Sequence, residues 1–173
     1  MKNLRVPLLK QKKMACGPTS LRMVLKYFGK HVPLKDIIKG VSGIKKFGVR
    51  TIELGDFAKK QGFKVTCYSY NKDGKNGWAK VRRPYKSDIL KFLRKGLPVI
   101  IAVSSHILYN EKPSKLGHFI VITKYNNHRF RYNDPFDGKR HNINEEDLIF
   151  AWYVNAFDSK GHILVIEPKS KVK

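Results

Sequence analysis

Residues 11–29 read QKKMACGPTSLRMVLKYFG, and the rest of the chain is expected to fold around this stretch. Its apolar side chains recur at the i, i+3, i+4 and i+7 positions of a helix, namely Leu21, Val24, Leu25 and Phe28. Gly29 follows them as a helix stop. The spacing therefore predicts a helix with one buried face, which other elements must cover.

A cysteine stands where this helix is predicted to begin. The start is marked by Gly17, Pro18 and Thr19, so Cys16 lies at or just before the first turn. Unpaired backbone N–H groups and the helix dipole favour an anion there. Lys12, Lys13 and Arg22 add positive charge nearby. The pattern favours the thiolate, the form of cysteine that attacks carbonyl groups.

Gln11 precedes Cys16 by five residues on the incoming loop. Its side-chain amide can lie beside the backbone N–H of Cys16. Two such donors would stabilise the oxygen anion that forms when a thiolate attacks a carbonyl carbon. We therefore expect Gln11 and the Cys16 N–H to form an oxyanion hole.

Residues 117–136 read GHFIVITKYNNHRFRYNDPF, two strand-like runs around a predicted turn at Asn126-Asn127. A two-residue turn places His118 opposite Pro135. A three-residue loop that includes Tyr125 places His118 opposite Asp134 instead. Only the second register puts His118 and Asp134 on one face, because a slip of one residue turns a side chain over. The sequence leaves the register open.

A cysteine nucleophile needs an imidazole that exchanges its proton and an acceptor that orients the ring. His118 and Asp134 are the candidates for these two roles. His106 is a second histidine that can in principle pair with Cys16. Cys67, in a strand-like stretch, is expected to be a buried apolar residue. The catalytic residues predicted from the sequence are thus Cys16, His118 and Asp134.

Four segments together resemble cysteine peptidase family 39, the double-glycine leader peptidases of the papain-like clan: Gln11, Cys16-Gly17, Gly117–Val121 and Asn133–Pro135. The resemblance covers roughly residues 8–155 and includes Trp152 near its end. It implies an α+β papain-like cysteine proteinase fold, with the N-terminal active-site helix packed on a small antiparallel β-sheet. Ala15 stands where many transporter-linked members have an aspartate, so the chain looks more like the stand-alone members.

The resemblance also implies an activity, which is hydrolysis of a peptide bond in a peptide or leader segment. Cys16, His118 and Asp134 would form the triad and Gln11 the oxyanion hole, with no cofactor. The same cysteine would equally serve an acyl or peptidyl transferase, and the sequence does not separate hydrolysis from transfer. Residues 1–168 are expected to form a single peptidase domain, followed by a short basic tail at 169–173.

The remaining elements follow from local patterns. Residues 1–10 are expected to be an extended lead-in, with a short edge strand at 4–6 as one option. We expect helices at 32–39, 50–61, 88–95 (capped by Ser87) and 145–150, and strands at 63–70 and 98–103. A basic loop is expected at 71–86, and it carries Trp78 and Tyr85.

The charge is strongly positive, with 36 Lys and Arg against 13 Asp and Glu, a net +23. The basic residues are scattered in pairs, which favours a generally solvated surface. The alternative is a non-catalytic papain-like domain that binds nucleic acid, anionic membrane or an acidic peptide through its basic surface.

Several classes of protein do not fit the sequence. No apolar run is long enough for a transmembrane segment or a signal peptide, so the expected compartment is the cytoplasm. The 2 cysteines are too few for a disulfide framework, and no metal-ligand spacing is present. The oligomeric state and the substrate stay open.

Overall fold

The computed structural model describes residues 3–46, 48–69, 79–113, 117–154 and 161–169. Within these ranges the helices are α1 (Cys16–Tyr27), α2 (Leu34–Gly40), α3 (Thr51–Lys60), α4 (Lys86–Arg94), α5 (Ser105–Leu108) and α6 (Glu145–Tyr153). The strands are β1 (Phe63–Ser69), β2 (Lys80–Val81), β3 (Val99–Ser104), β4 (Gly117–Asn126), β5 (Arg129–Asp134), β6 (Lys139–Asn144) and β7 (Ile163–Pro168). The predicted α+β class is confirmed.

The strands form one sheet in the order β2-β1-β7-β3-β4-β5-β6. Neighbouring strands are antiparallel except β1 and β2, which are parallel. The sheet is therefore larger than the small one expected from the sequence. Every residue of β3 is buried, as its apolar run predicted.

Helix α1 begins at Cys16 and packs its buried face on β4. The predicted apolar positions Leu21, Val24 and Leu25 are all fully buried. Gly17 lets the first turn approach the strand, because a Cβ there would lie 3.1 Å from the ring of Phe119. The first turn of α1 is thereby held against β4, one residue after His118.

The β4–β5 hairpin turns at Asn127 and His128, whose φ angles are 47° and 56°. Asn126 still pairs with Arg129 in the ladder. The predicted turn at Asn126-Asn127 is therefore wrong by one residue. Histidine, like asparagine, is among the residues that most readily adopt left-handed backbone angles, which the sequence reading assigned to the two asparagines alone.

A β-bulge at Thr123 changes the register within this hairpin. On the turn side of Thr123, Lys124 lies opposite Arg131. Beyond Thr123 the pairing is shifted by one residue, so that Val121 lies opposite Asn133. The same register places Asp134 opposite the residue two positions after His118. Both predicted registers are wrong in detail, but His118 and Asp134 share a face because residues two apart on a strand point the same way.

Three smaller predictions need correction. Ser87 does not cap α4; Tyr85 precedes the helix, and its N–H donates to the Asp88 carboxylate at 2.8 Å. Residues 4–6 form no strand, although the Leu4 N–H donates to the Thr123 carbonyl at 3.3 Å. Most of the predicted basic loop, 71–78 with Trp78, lies outside the described residues, as do 170–173 of the predicted tail.

No helix in the described part of the chain combines the length and the apolar character needed to cross a membrane.

Gly40 is the last residue of α2, and an added Cβ there would lie 2.2 Å from the ring of Phe57. Phe57 belongs to the buried core, so its ring has little room to move. We expect Gly40→Ala to lower the free energy of unfolding by about 1–3 kcal/mol, as overpacking does. The exposed neighbour Lys39→Ala is the matched control. Equal unfolding midpoints of the two variants in urea would contradict this packing.

Candidate active site

Three predicted site residues meet where the start of α1 faces the sheet. Cys16 is partly exposed at the first turn of α1. His118 lies near the start of β4 and Asp134 at the end of β5, with 6% and 1% of their surfaces exposed. A buried charged pair beside a partly exposed thiol is an arrangement that protects the carboxylate from water while leaving the sulfur accessible.

The imidazole of His118 is held by Asp134. Its Nε2 lies 2.8 Å from Asp134 Oδ1, which leaves Nδ1 as the nitrogen available to Cys16. Burial of the Asp134 carboxyl opposes its ionisation, but hydrogen bonds from His118, Tyr109 and the Phe136 N–H lower its pKa below the usual value. Asp134 is therefore a carboxylate that fixes the ring of His118.

The thiol of Cys16 interacts with the imidazole of His118, and this interaction shifts the pKa of both groups. Burial opposes ionisation of the thiol, yet the hydrogen bond and charge of His118, with the backbone N–H groups of Phe119 and Gly17, bring the pKa of Cys16 below its ordinary value. Burial also disfavours the imidazolium, but Asp134 and Cys16 raise the pKa of His118 to about 9. Both shifts favour a thiolate–imidazolium pair.

Tyr109 is a member of this cluster that the sequence did not indicate. Its hydroxyl donates to Asp134 Oδ2 at 2.7 Å, and its ring centre lies 5.8 Å from that of His118. Hydrogen bonds to both carboxylate oxygens leave Asp134 little freedom to rotate. Tyr109 follows the short helix α5 in a segment without clear periodicity, so no local pattern pointed to it.

Gln11 lies at the same end of the sheet. Its backbone N–H donates to the Pro135 carbonyl at 2.6 Å, which ties the lead-in to the residue after Asp134. The side-chain oxygen of Gln11 is buried and has no hydrogen-bond partner among the described residues. The predicted contact between the Gln11 amide and the Cys16 N–H stays a prediction.

The alternative histidine and the second cysteine lie apart from this chemistry. His106 Nδ1 lies 2.9 Å from the hydroxyl of Ser104, and His118 is the histidine that lowers the pKa of Cys16. Cys67 is 3% exposed, and burial raises the pKa of its thiol to about 12. Cys67 is thus the buried apolar residue that its strand predicted.

Asp134 also belongs to a group of three side chains whose ligand atoms lie within 4.8 Å of one another, with Asp137 and His141. The sequence spacing did not indicate this group. Its members already bond within the protein, since His141 Nε2 lies 2.9 Å from Asp137 and Asp134 accepts the bonds described above. These contacts satisfy the three side chains as a hydrogen-bonded cluster.

Comparison with solved structures gives extensive matches, three of which follow. The peptidase domain of Streptococcus ComA, a bi-functional ABC transporter, superposes with a TM-score of 0.68 at 18% identity, over 95% of this chain and 100% of that one. A double glycine motif protease from an AMS/PCAT transporter, in complex with the leader peptide, gives 0.62 at 24%, over 96% and 94%. A C39-like peptidase from Bacillus anthracis gives 0.72 at 16%, over 99% and 100%.

These superpositions, over nearly the whole of both chains, establish the shared fold, and the predicted papain-like architecture is confirmed. No curated protein matches the chain. The model of the Peptidase_C39 like family matches residues 3–163, which is nearly the whole sequence. The chain therefore belongs to the Peptidase_C39 like family, as the resemblance read from its sequence predicted.

Proposed function

We propose that this protein is a cysteine peptidase that hydrolyses a peptide bond in a peptide or leader segment. The observation that carries the proposal is the position of His118, whose Nε2 lies 2.8 Å from Asp134 Oδ1 and whose charge lowers the pKa of the partly exposed Cys16 thiol. Membership of the Peptidase_C39 like family supports the same class of reaction. The structurally similar PCAT protease is in complex with its leader peptide, which supports a peptide substrate here.

The proposed reaction begins with attack of the Cys16 thiolate on the carbonyl carbon of the peptide bond. A carbon–sulfur bond forms, and the carbonyl oxygen becomes an anion stabilised by the Cys16 N–H and the Gln11 amide. The His118 imidazolium then gives its proton to the amide nitrogen, the carbon–nitrogen bond breaks, and the amine leaves.

The second half of the reaction releases the acid. His118, now neutral, takes a proton from water, whose oxygen attacks the thioester carbon. The carbon–sulfur bond breaks, and the pair returns to thiolate and imidazolium. Asp134 stays ionised throughout and holds the ring in one orientation, with Tyr109 fixing the carboxylate in turn.

We also propose that residues 1–168 act as one peptidase domain. The family match runs from residue 3 to 163. The Gln11 N–H donates to the Pro135 carbonyl, and β7 pairs with β1 and β3 in the sheet that carries His118. The proposed site therefore depends on both ends of this range.

The proposed reaction is tested with a library of peptides incubated with the protein in heavy-oxygen water. Hydrolysis predicts new carboxyl termini that carry the heavy isotope, detected by mass spectrometry, and their loss after Cys16 is alkylated. An acyl transferase predicts instead products extended by an added amine such as glycylglycine. Termini that form equally with alkylated protein, or no new termini at all, would overturn the proposal.

Tyr109→Phe removes the hydroxyl that holds Asp134 Oδ2 and keeps the ring beside His118. We expect kcat to fall by about 10- to 150-fold with KM little changed, because a hydrogen bond to a charged group contributes about 1.5–3 kcal/mol. The loss of this donor also raises the pKa of Asp134 towards its usual value, which weakens the charge that holds the pKa of His118 high and moves the alkaline limit of activity to lower pH.

Tyr132→Phe serves as the matched control, since Tyr132 is buried near Asp134 but donates no described hydrogen bond to it. Kinetic constants and pH profiles that are the same for both variants would contradict a positioning role for Tyr109.

A further inference from the structure

Strands β4, β5 and β6 present an ordered array of polar side chains on one face. Two adjacent rows cross the three strands: Lys124, Arg131 and Asn142, then Asn126, Arg129 and Asn144. The opposite face carries the buried Phe130. Residues of both rows line an open groove of about 380 Å³, which we call the basic groove. It is formed by Lys124, Asn126, Asn127, Arg129, Arg131 and Asn142.

The cations of the basic groove have no carboxylate partner among the described residues. Lys124 lies directly opposite Arg131, and like charges in that position destabilise a sheet. By contrast Lys45, Arg82 and Lys86 each pair with a carboxylate. The groove therefore concentrates positive charge that the protein itself does not neutralise.

The groove is also partly pre-organised. Arg131 Nε donates to Asn142 Oδ1 at 3.2 Å, and its Nη1 lies 3.5 Å from Asn3 Oδ1 on the lead-in. These bonds hold the guanidinium without cancelling its charge. Arg129 and Asn126 are exposed beside it. An incoming anion would thus meet an Arg in a fixed position and several further donors.

We propose that the basic groove binds the phosphate backbone of a nucleic acid. Arginine and lysine neutralise phosphates, and asparagine donates to phosphate and sugar oxygens. The lining contains no aromatic side chain for base stacking, so the contact is independent of base sequence. A concave surface admits a linear chain, whereas a flat bilayer would meet only its rims.

This site is separate from the proposed peptidase site. The groove lies towards the turn of the hairpin, and His118 lies at the other end of β4. Six residues separate His118 from Lys124, roughly 20 Å at about 3.3 Å per residue. Nucleic-acid binding and peptide cleavage can therefore take place on one molecule at the same time, and one can be lost without the other.

The test is fluorescence anisotropy of a short labelled DNA duplex titrated with the full chain between about 50 and about 200 mM salt. The variant is Lys124→Gln/Arg129→Gln/Arg131→Gln. The matched control is Lys35→Gln/Lys60→Gln/Arg94→Gln, which removes the same charge from exposed residues of α2, α3 and α4. The groove variant is expected to bind at least about tenfold more weakly. The slope of its log binding constant against log salt concentration is expected to be smaller in magnitude by about 2–3, with little change in the control.

Several results would overturn the proposal. Wild-type protein that does not bind the duplex would do so, as would equal weakening by both triple variants, which would show a general effect of net charge. Groove-dependent binding to anionic vesicles or to polyglutamate, without binding to DNA, would assign the groove to another partner. The Cys16 alkylation rate, expected to be the same in all three proteins, confirms that both variants are folded.

Discussion

Replacement of Cys16 by alanine is expected to lower kcat/KM for a cleaved peptide by at least about 10⁴-fold. Loss of a nucleophile in a concerted triad removes nearly all covalent catalysis and leaves only what binding and the oxyanion donors supply. The effect is large because the thiol whose pKa His118 lowers is the attacking atom in the proposed reaction. The measurement is the initial rate on a substrate identified from the peptide library.

Cys67→Ala is the matched control for this experiment. Cys67 is buried in β1, and the pKa of its thiol is about 12, so it is protonated and does not react at neutral pH. The control is expected to retain the wild-type rate per folded molecule. A Cys16→Ala protein that hydrolyses as fast as the control would remove Cys16 from the mechanism.

Replacement of His118 by alanine is the second large effect we expect, a fall in kcat on the order of 10⁴-fold. The imidazole supplies the charge that stabilises the thiolate and the proton that the leaving amine requires. His106→Ala, which removes a histidine bonded to Ser104, is the matched control and is expected to leave the chemical step intact. Equal losses in the two variants would place the effect on folding and not on proton transfer.

The two pKa shifts set the pH range in which the ion pair exists. The pKa of His118 is raised from 6.5 to about 9, so its contribution to stability is complete below 6.5 and is lost as the pH rises through about 9. The pKa of Cys16 is lowered from its ordinary value, so its contribution is lost as the pH falls through that lowered value. Activity should therefore reach a plateau between these limits and decline near pH 9.

Much of the fold could be predicted because the local patterns were strong. The helix at Cys16–Tyr27 combines clear apolar spacing, a Gly-Pro start and a glycine stop, and each feature belongs to neighbouring residues. The alternating and apolar runs likewise predicted β1, β3, β4 and β5. These signals depend only on the sequence within one helix or strand, so they can be recognised without knowing which other element packs against it.

The register of the hairpin could not be predicted, because it depends on a bulge. Thr123 lies inside an otherwise regular strand-like run, and its fully buried side chain gives no sign that it lacks a partner in β5. This one residue decides whether His118 and Asp134 share a face. A single β-branched residue in a strand carries no signal that distinguishes a bulge from regular pairing.

The contacts made by Tyr109 and Gln11 also lay beyond the sequence. Tyr109 reaches Asp134 across 25 positions, and the Gln11 N–H reaches Pro135 across the lead-in. Such contacts depend on how strand ends meet at one edge of the sheet. The resemblance predicted Cys16, His118 and Asp134 in chain order, but the supporting residues required the assembled structure.

The thiolate–imidazolium pair is tested most directly by the pH dependence of Cys16 alkylation with iodoacetamide, followed by mass spectrometry in the Cys67→Ala background. The usual pKa of a free cysteine is about 8.5. The structure predicts rapid labelling of Cys16 well below that pH, and loss of that labelling in His118→Ala. Labelling that rises only near the usual cysteine pKa, with the same profile when His118 is absent, would contradict the pair and with it the proposed peptidase mechanism.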